Sequence, residues 1–166
     1  KWKQGFDRMI VIGSVVPALL WGVAFGNIVQ GVPLDADKNF TGSLFTLLNP
    51  YALCVGVTTL LLFFLHGLYF VGLKADGRVK DDAHRLAQRV AFPAIAFAAG
   101  TVVWTTVIAM DRDAPLLAVV IGCGALAALA LLGSAVANLR RRDGWAFALG
   151  AVTIVTAVLM LWFALF

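Results

Sequence analysis

The chain has 166 residues, of which 61% are hydrophobic and 13% charged, with a formal net charge of +4. Soluble domains usually carry about 25% charged residues, so this chain has too little polar surface to cover a water-facing fold. In a soluble protein the positive balance would point to nucleic acid or an anionic surface; along a chain of mean hydropathy +0.92 its distribution matters more, and no nucleic-acid partner is expected.

Five runs lack Asp, Glu, Lys and Arg, at about 9–32, 50–73, 90–110, 116–139 and 145–166. At 1.5 Å rise per residue each is roughly 32–36 Å long, enough to cross a hydrocarbon core of about 30 Å. The expected fold is an all-α, polytopic transmembrane helical bundle with five spanning helices, residues 1–166 forming one membrane domain segment.

The first run carries Pro17 in its interior. A proline there removes a backbone hydrogen bond and predicts a kink, with Ser14 or a neighbouring helix re-satisfying the freed carbonyl. Trp21 lies mid-span and is expected inside the bundle, and Pro33 ends the helix. The connection "PLDADKNFTGSLFTLLN" starts polar and becomes apolar enough for a short interfacial turn. Asn49–Pro50 reads as an N-cap followed by proline at the first helical position.

The loop 74–89, "KADGRVKDDAHRLAQR", is the most hydrophilic stretch, with a turn at Asp76–Gly77; its later half could extend the third helix. "DRDAP" is short enough to dictate an antiparallel hairpin, and "RRRDG" makes the next tight turn. Between them the fourth run is rich in Ala, Gly and Ser, which lets a helix approach a partner closely. Tryptophans 2, 104, 145 and 162 fall near predicted interfaces, where amphipathic rings settle.

The basic residues sort by side. Lys1, Lys3 and Arg8 precede the first span, Lys74, Arg78, Lys80, Arg85 and Arg89 follow the second, and Arg140, Arg141 and Arg142 follow the fourth. The opposite connections hold only Lys38 and Arg112. By the positive-inside rule the start of the segment, the loop 74–89 and the turn 140–144 are cytoplasmic, and Phe166 lies near the outer face. "KWKQGFDR" looks like a cytoplasmic connection and "LMLWFALF" stops where a span stops, so the chain reads as part of a longer one.

Candidate chemistry is sparse. There is no Glu, and all nine Asp fall outside the five runs. Transporters driven by protons or cations usually place an acid near the midplane despite its cost, and these helices offer none. Cys54 and Cys123 lie in different spans without a CxxC, which reads as buried apolar thiols and excludes an iron–sulfur or structural zinc site built on this chain alone. No catalytic residue, metal ligand or dinucleotide loop is evident.

What remains is polar side chains in apolar runs. Asn27 and Gln30 are i and i+3 on a helix and share a face, overlapping the step Gly22, Gly26, Gln30. The glycines, with Pro17, are read as helix-packing positions. The two amides could seal a helix–helix contact or stand beside a quinone head group, a water file or a partner subunit. His66 in "LLFFLHGLYF" is the one histidine within a span, and could bond a backbone carbonyl, ligate haem iron, pass protons or contact a partner.

The blocks "VIGSVVPALLWGVAFGNIVQGVP" and "LLNPYALCVGVTTLLLFFLHG" carry several motifs in one order. They are GS-x-x-P, G-V-A-F-G-N-x-x-Q-G-V-P, L-L-N-P and a following G-V-T run, covering roughly residues 10–73. In these the chain resembles subunit II of the cytochrome bd quinol oxidases. Further on, helix spacing and the basic turn "RRRDGWAFA" agree.

The resemblance implies a complex that oxidises quinol and reduces oxygen to water in a bacterial cytoplasmic membrane. Subunit I would hold two b-type haems, one d-type haem and the quinol site. This chain would be the central to C-terminal part of its haem-free structural partner, possessing no redox centre. It would meet membrane lipids, and a small accessory subunit and a structural quinone are further expected companions. Asn27, Gln30 and His66 would then be packing, subunit-contact or quinone-contact residues. Two other readings compete: a small-solute transporter or permease fragment, and a membrane b-type cytochrome using His66.

Overall fold

The computed structural model describes residues 2–166. Its elements are α1 (Trp2–Gln30), α2 (Leu44–Leu47), α3 (Pro50–Lys74), α4 (Gly77–Asp111), α5 (Leu117–Leu139) and α6 (Asp143–Phe163). No strand occurs among the described residues beyond an isolated bridge between Leu34 and Phe40. Five helices are long and apolar enough to cross a membrane, as the runs predict. Their outward faces carry Leu, Ile, Val, Phe and Trp side chains, which suits a hydrocarbon solvent and not water.

Helix α3 is the hub, packing against α1, α4 and α6, while α5 and α6 form an extensive antiparallel hairpin. Its start follows the predicted chemistry: Asn49 is extended at ψ 159°, its side chain accepts from the Ala52 amide at 2.8 Å, and Pro50 opens the helix. In the connection after Pro33 a short helical turn forms as α2. Residues 77–89 are helical from Gly77 onward, so the hydrophilic segment is mostly the first turns of α4, with Ala75 and Asp76 left as the link.

Two apolar clusters fill the bundle. One joins Leu62, Leu65 and Tyr69 of α3 to Ala87 and Ala91 of α4 and Leu131 of α5. The other joins Val29 of α1 to Tyr51 and Val55 of α3, Val120 of α5 and Met160 of α6. Hydroxyls tie the helices within this packing. Tyr51 Oη meets Thr105 Oγ1 at 2.8 Å, Thr58 Oγ1 meets Thr101 Oγ1 at 2.7 Å, and Tyr69 Oη meets Ser134 Oγ at 3.3 Å. Each buried hydroxyl thereby avoids the cost of an unmade bond in an apolar surround.

Three expectations are corrected. Pro17 is exposed within the described residues, off the face that Gly22 and Gly26 turn to α3, and α1 runs helical through it. Ser14 Oγ donates to the Ile10 carbonyl at 2.9 Å and not to the carbonyl of Gly13, four residues before Pro17. Trp21 is 63% exposed and not inside the bundle, because the neighbouring Gly22 and Gly26 take the face against α3. The two thiols are half-buried and free, Cys54 Sγ lying 3.5 Å from Thr101 Oγ1.

Candidate functional site

The predicted amides separate. Gly22 and Gly26 bring α1 onto α3 so closely that a Cβ at Gly22 would stand 2.7 Å from the Gly56 Cα. That approach carries Asn27 inward, where it is 6% exposed. Its Nδ2 donates to the carbonyls of Val23 at 2.8 Å and Leu47 at 2.7 Å, and its Oδ1 accepts from Asn49 Nδ2 at 3.0 Å. Asn49 in turn caps α3, so one chain of amides fastens the end of α1 to α2 and the start of α3.

Gln30 does not share that face: its side chain is exposed and makes no hydrogen bond within the described residues. The i, i+3 argument fails because the contact stripe on α1 runs through Gly22, Gly26 and Asn27, and Gln30 is the last residue of the helix. Its carbonyl accepts from Arg112 Nη2 at 2.6 Å, while Arg112 Nη1 reaches the Val29 carbonyl at 2.5 Å. A guanidinium thus meets the final carbonyls of α1, where cations are favoured. The sequence offered Arg112 only as a charge on the sparse side. Its partners lie more than eighty residues earlier, and nothing local signals them.

His66 sits half-buried, its ring stacked on Phe147 of α6 at a centroid distance of 4.5 Å. Its Nδ1 is buried without a hydrogen-bond partner and points at Gly150, where a Cβ would come within 3.0 Å. His84 belongs to the most hydrophilic stretch of the sequence, yet it is buried at 2% exposure, with Nδ1 on Asn138 Oδ1 at 2.8 Å.

Between the two apolar clusters lies a cavity of about 450 Å³, bounded by Trp21 and Phe25 of α1, Leu62 of α3, Ala98 of α4, Leu131 of α5 and Met160 of α6. Its threonine hydroxyls are already committed. Thr58 donates to the Cys54 carbonyl, Thr59 to that of Val55 and Thr153 to that of Leu149, each at 2.9 Å, and Thr101 meets Thr58. The cavity is therefore chemically apolar.

These features define a helical membrane protein in which several buried polar groups, Asn27, Tyr51, Thr58 and Tyr69 among them, tie one helix to the next. The profile of the cytochrome bd terminal oxidase subunit II family matches residues 1–166, and the chain belongs to that family. It is 31% identical over 172 residues to the cytochrome bd ubiquinol oxidase subunit 2 of Bacillus subtilis (strain 168), an alignment covering 100% of this chain and 49% of that protein. To the cytochrome bd-I ubiquinol oxidase subunit 2 of Escherichia coli (strain K12) it is 35% identical over 108 residues, covering 63% of this chain and 28% of the relative. The chain thus spans about half the length of the Bacillus relative. The transporter reading is set aside.

Among the described residues no three His, Cys, Asp or Glu side chains cluster. The His84 ring is held at Nδ1 by Asn138 and faces Asp143 at Nε2, and His66 lies against Phe147 with no second imidazole opposite it.

Proposed function

We propose that this chain is part of the haem-free subunit of a bd-type terminal oxidase, a complex that oxidises quinol and reduces oxygen to water. The haem-bearing subunit I would hold two b-type haems and one d-type haem, and this chain would brace it in a bacterial cytoplasmic membrane. The observation that carries the reading is the family match over residues 1–166, beside amides and hydroxyls committed to ties between helices. The ion pairs Lys80–Asp143 and Asp81–Arg141 join the two most basic connections at one end of the bundle, which supports a shared cytoplasmic side.

A second role is favoured by the cavity. Apolar walls with committed hydroxyls suit oxygen or a hydrocarbon tail, as of a structural quinone, and give a proton file nothing to hop along. A small accessory subunit completes the proposed assembly.

The test is affinity purification of the tagged full-length subunit from its native membrane, with a reduced-minus-oxidised spectrum and quinol-driven oxygen uptake. A larger haem-bearing partner, a far-red chlorin-type band and oxygen uptake are expected. An intact, expressed preparation that is colourless and partnerless would overturn the reading.

A further inference from the structure

We propose that the α5–α6 turn is a binding site for an anionic phospholipid of the leaflet it faces. Arg140 and Arg142 take the phosphate, and the outer face of α6 takes an acyl chain. Such a site needs only the membrane fold of this chain and does not depend on oxidase activity.

The backbone builds the turn. Arg142 N donates to the Ala137 carbonyl at 2.9 Å and Arg141 N to the Asn138 carbonyl at 3.1 Å, the paired bonds that close a helix abruptly at its C-terminus. Closure sets Arg141 at φ +57°, a left-handed conformation that favours glycine, yet an arginine occupies it. Two ion pairs then fix the turn against α4. Arg141 Nη1 donates to Asp81 Oδ1 at 2.6 Å, and Lys80 Nζ lies 2.6 Å from Asp143 Oδ2. The arginines on either side of Arg141 are thus held in place before a ligand arrives, which lowers the cost of binding one.

The carboxylates at this end of the bundle are nearly all spent. Of the four aspartates in 74–89 and 140–144, Asp81 is taken by Arg141, Asp82 by Arg78 and Arg85, and Asp143 by Lys80, while Asp76 lies in the link between α3 and α4. Arg140 and Arg142 are exposed and form no ion pair among the described residues. Lys74 and Arg89 are left over too, but each stands alone on its helix, whereas Arg140 and Arg142 flank a single residue. A phosphodiester offers its oxygens to two planar forks at once. A headgroup amine would add a cation to an arginine cluster, so a phospholipid without one is the chemistry that fits.

The depth is right for a headgroup. Trp145 and Trp162 are both exposed on α6, seventeen residues apart, which is about 26 Å at 1.5 Å per residue and matches aromatic rings at the two faces of a bilayer. Arg142 precedes Trp145 by three residues and so lies on the water side of that ring. From Trp145 inward, Val152, Val155 and Leu159 are exposed at i+7, i+10 and i+14, one side of the helix and an apolar track for a chain.

The experiment is native mass spectrometry of the full-length subunit, purified with its bound partners, delipidated, and titrated with phosphatidylglycerol or with phosphatidylethanolamine of the same acyl chains. The double variant Arg140→Gln, Arg142→Gln should bind one phosphatidylglycerol about tenfold more weakly than wild type, with phosphatidylethanolamine unchanged. Each single variant should show part of that fall, so one that assembles suffices. The control Arg78→Gln, Arg85→Gln removes the same charge from paired positions on α4 and should bind as wild type does. Unchanged phosphatidylglycerol binding in the double variant overturns the proposal, and so does an equal fall in the control, which would reduce the effect to surface charge. Displacement of the lipid by inorganic phosphate would assign the arginines to a free anion instead, and loss of a protein subunit in place of a lipid would assign them to an acidic partner; either overturns the lipid site.

Discussion

Gly26 of α1 and Ala52 of α3 meet backbone to backbone: a Cβ placed on Gly26 would stand 2.7 Å from the Ala52 Cα, with no flexible side chain to yield. The first prediction follows from that distance. Gly26→Ala must push the two helices apart, and overpacking of this kind costs about 1–3 kcal/mol. Gly13→Ala, where nothing lies within 4 Å, is the control and should be neutral or mildly stabilising. The thermal midpoint of the purified complex reads both. A Gly26→Ala complex as stable as wild type would show that α1 does not bear on α3 through this stripe.

Asn27 and Gln30 should part company in the same assay. Asn27→Leu strands the Leu47 carbonyl in a part-buried site, a loss of about 1–3 kcal/mol, and leaves Asn49 Nδ2 with only its bond to the Thr46 carbonyl. Gln30→Leu, on an exposed side chain, should change stability by less than about 0.5 kcal/mol. The thermal midpoint is again the readout, beside the yield of assembled complex, with turnover per assembled haem unchanged in both. Lost turnover in a normally assembled Gln30→Leu complex would instead indicate a ligand or quinone contact.

The contrast shows what the sequence could and could not reveal. Helix number was legible because an apolar run of spanning length has one plausible fate in a bilayer, and the Asn49 cap was legible because its bond closes within three residues. The glycine stripe was legible as small residues at a fourfold step. The partners of the polar groups were not. Asn27 finds Leu47 twenty residues on, and His84 finds Asn138 fifty-four residues on. His84 looked solvated because its neighbours are charged, and only the fold of the α5–α6 hairpin buries it. Trp21 went astray since an apolar side chain in a membrane protein gains little by facing inward when lipid is equally apolar.

Arg112 should prove hard to replace. Its planar fork reaches two successive carbonyls at the end of α1, a geometry that a lysine ammonium cannot reproduce. Arg112→Lys should keep the charge yet lose one of the two bonds, a cost of about 0.5–1.5 kcal/mol, and Arg112→Met should lose both. Hydrogen exchange at residues 28–31 reports the fraying directly, and Arg112→Met protection equal to wild type would place the support of this helix end elsewhere.

Asp81 gives a pH dependence with a definite sign. The Arg141 guanidinium hydrogen-bonds its carboxylate and holds it below the ordinary range, so the folded form binds its proton less readily than the unfolded form. The contribution is present above the unfolded value, about 3.9, and disappears as pH falls through the folded value. Both side chains are more than half exposed, so salt should screen most of it. Arg141→Gln should return the Asp81 titration to the ordinary range in an NMR carboxyl experiment. An unchanged titration would mean that the pair does not persist in solution.

His66 is the decisive residue for whether a ligand visits this face of the bundle. Its ring stacks on Phe147 at 4.5 Å and its Nδ1 is buried beside Gly150 without a partner. A buried nitrogen that bonds nothing contributes no hydrogen-bond energy, and replacing it by carbon of similar shape removes a desolvation cost of about 1–3 kcal/mol. His66→Phe should therefore assemble normally, keep the aromatic stack and match or exceed wild-type thermal stability. If the residue only packs, quinol-driven oxygen uptake per haem will also match wild type. If the free edge of the ring meets a quinone or a partner's acceptor, the same variant will stay assembled while uptake falls or the apparent KM for quinol rises. The split between stability and turnover separates the two roles in one protein preparation.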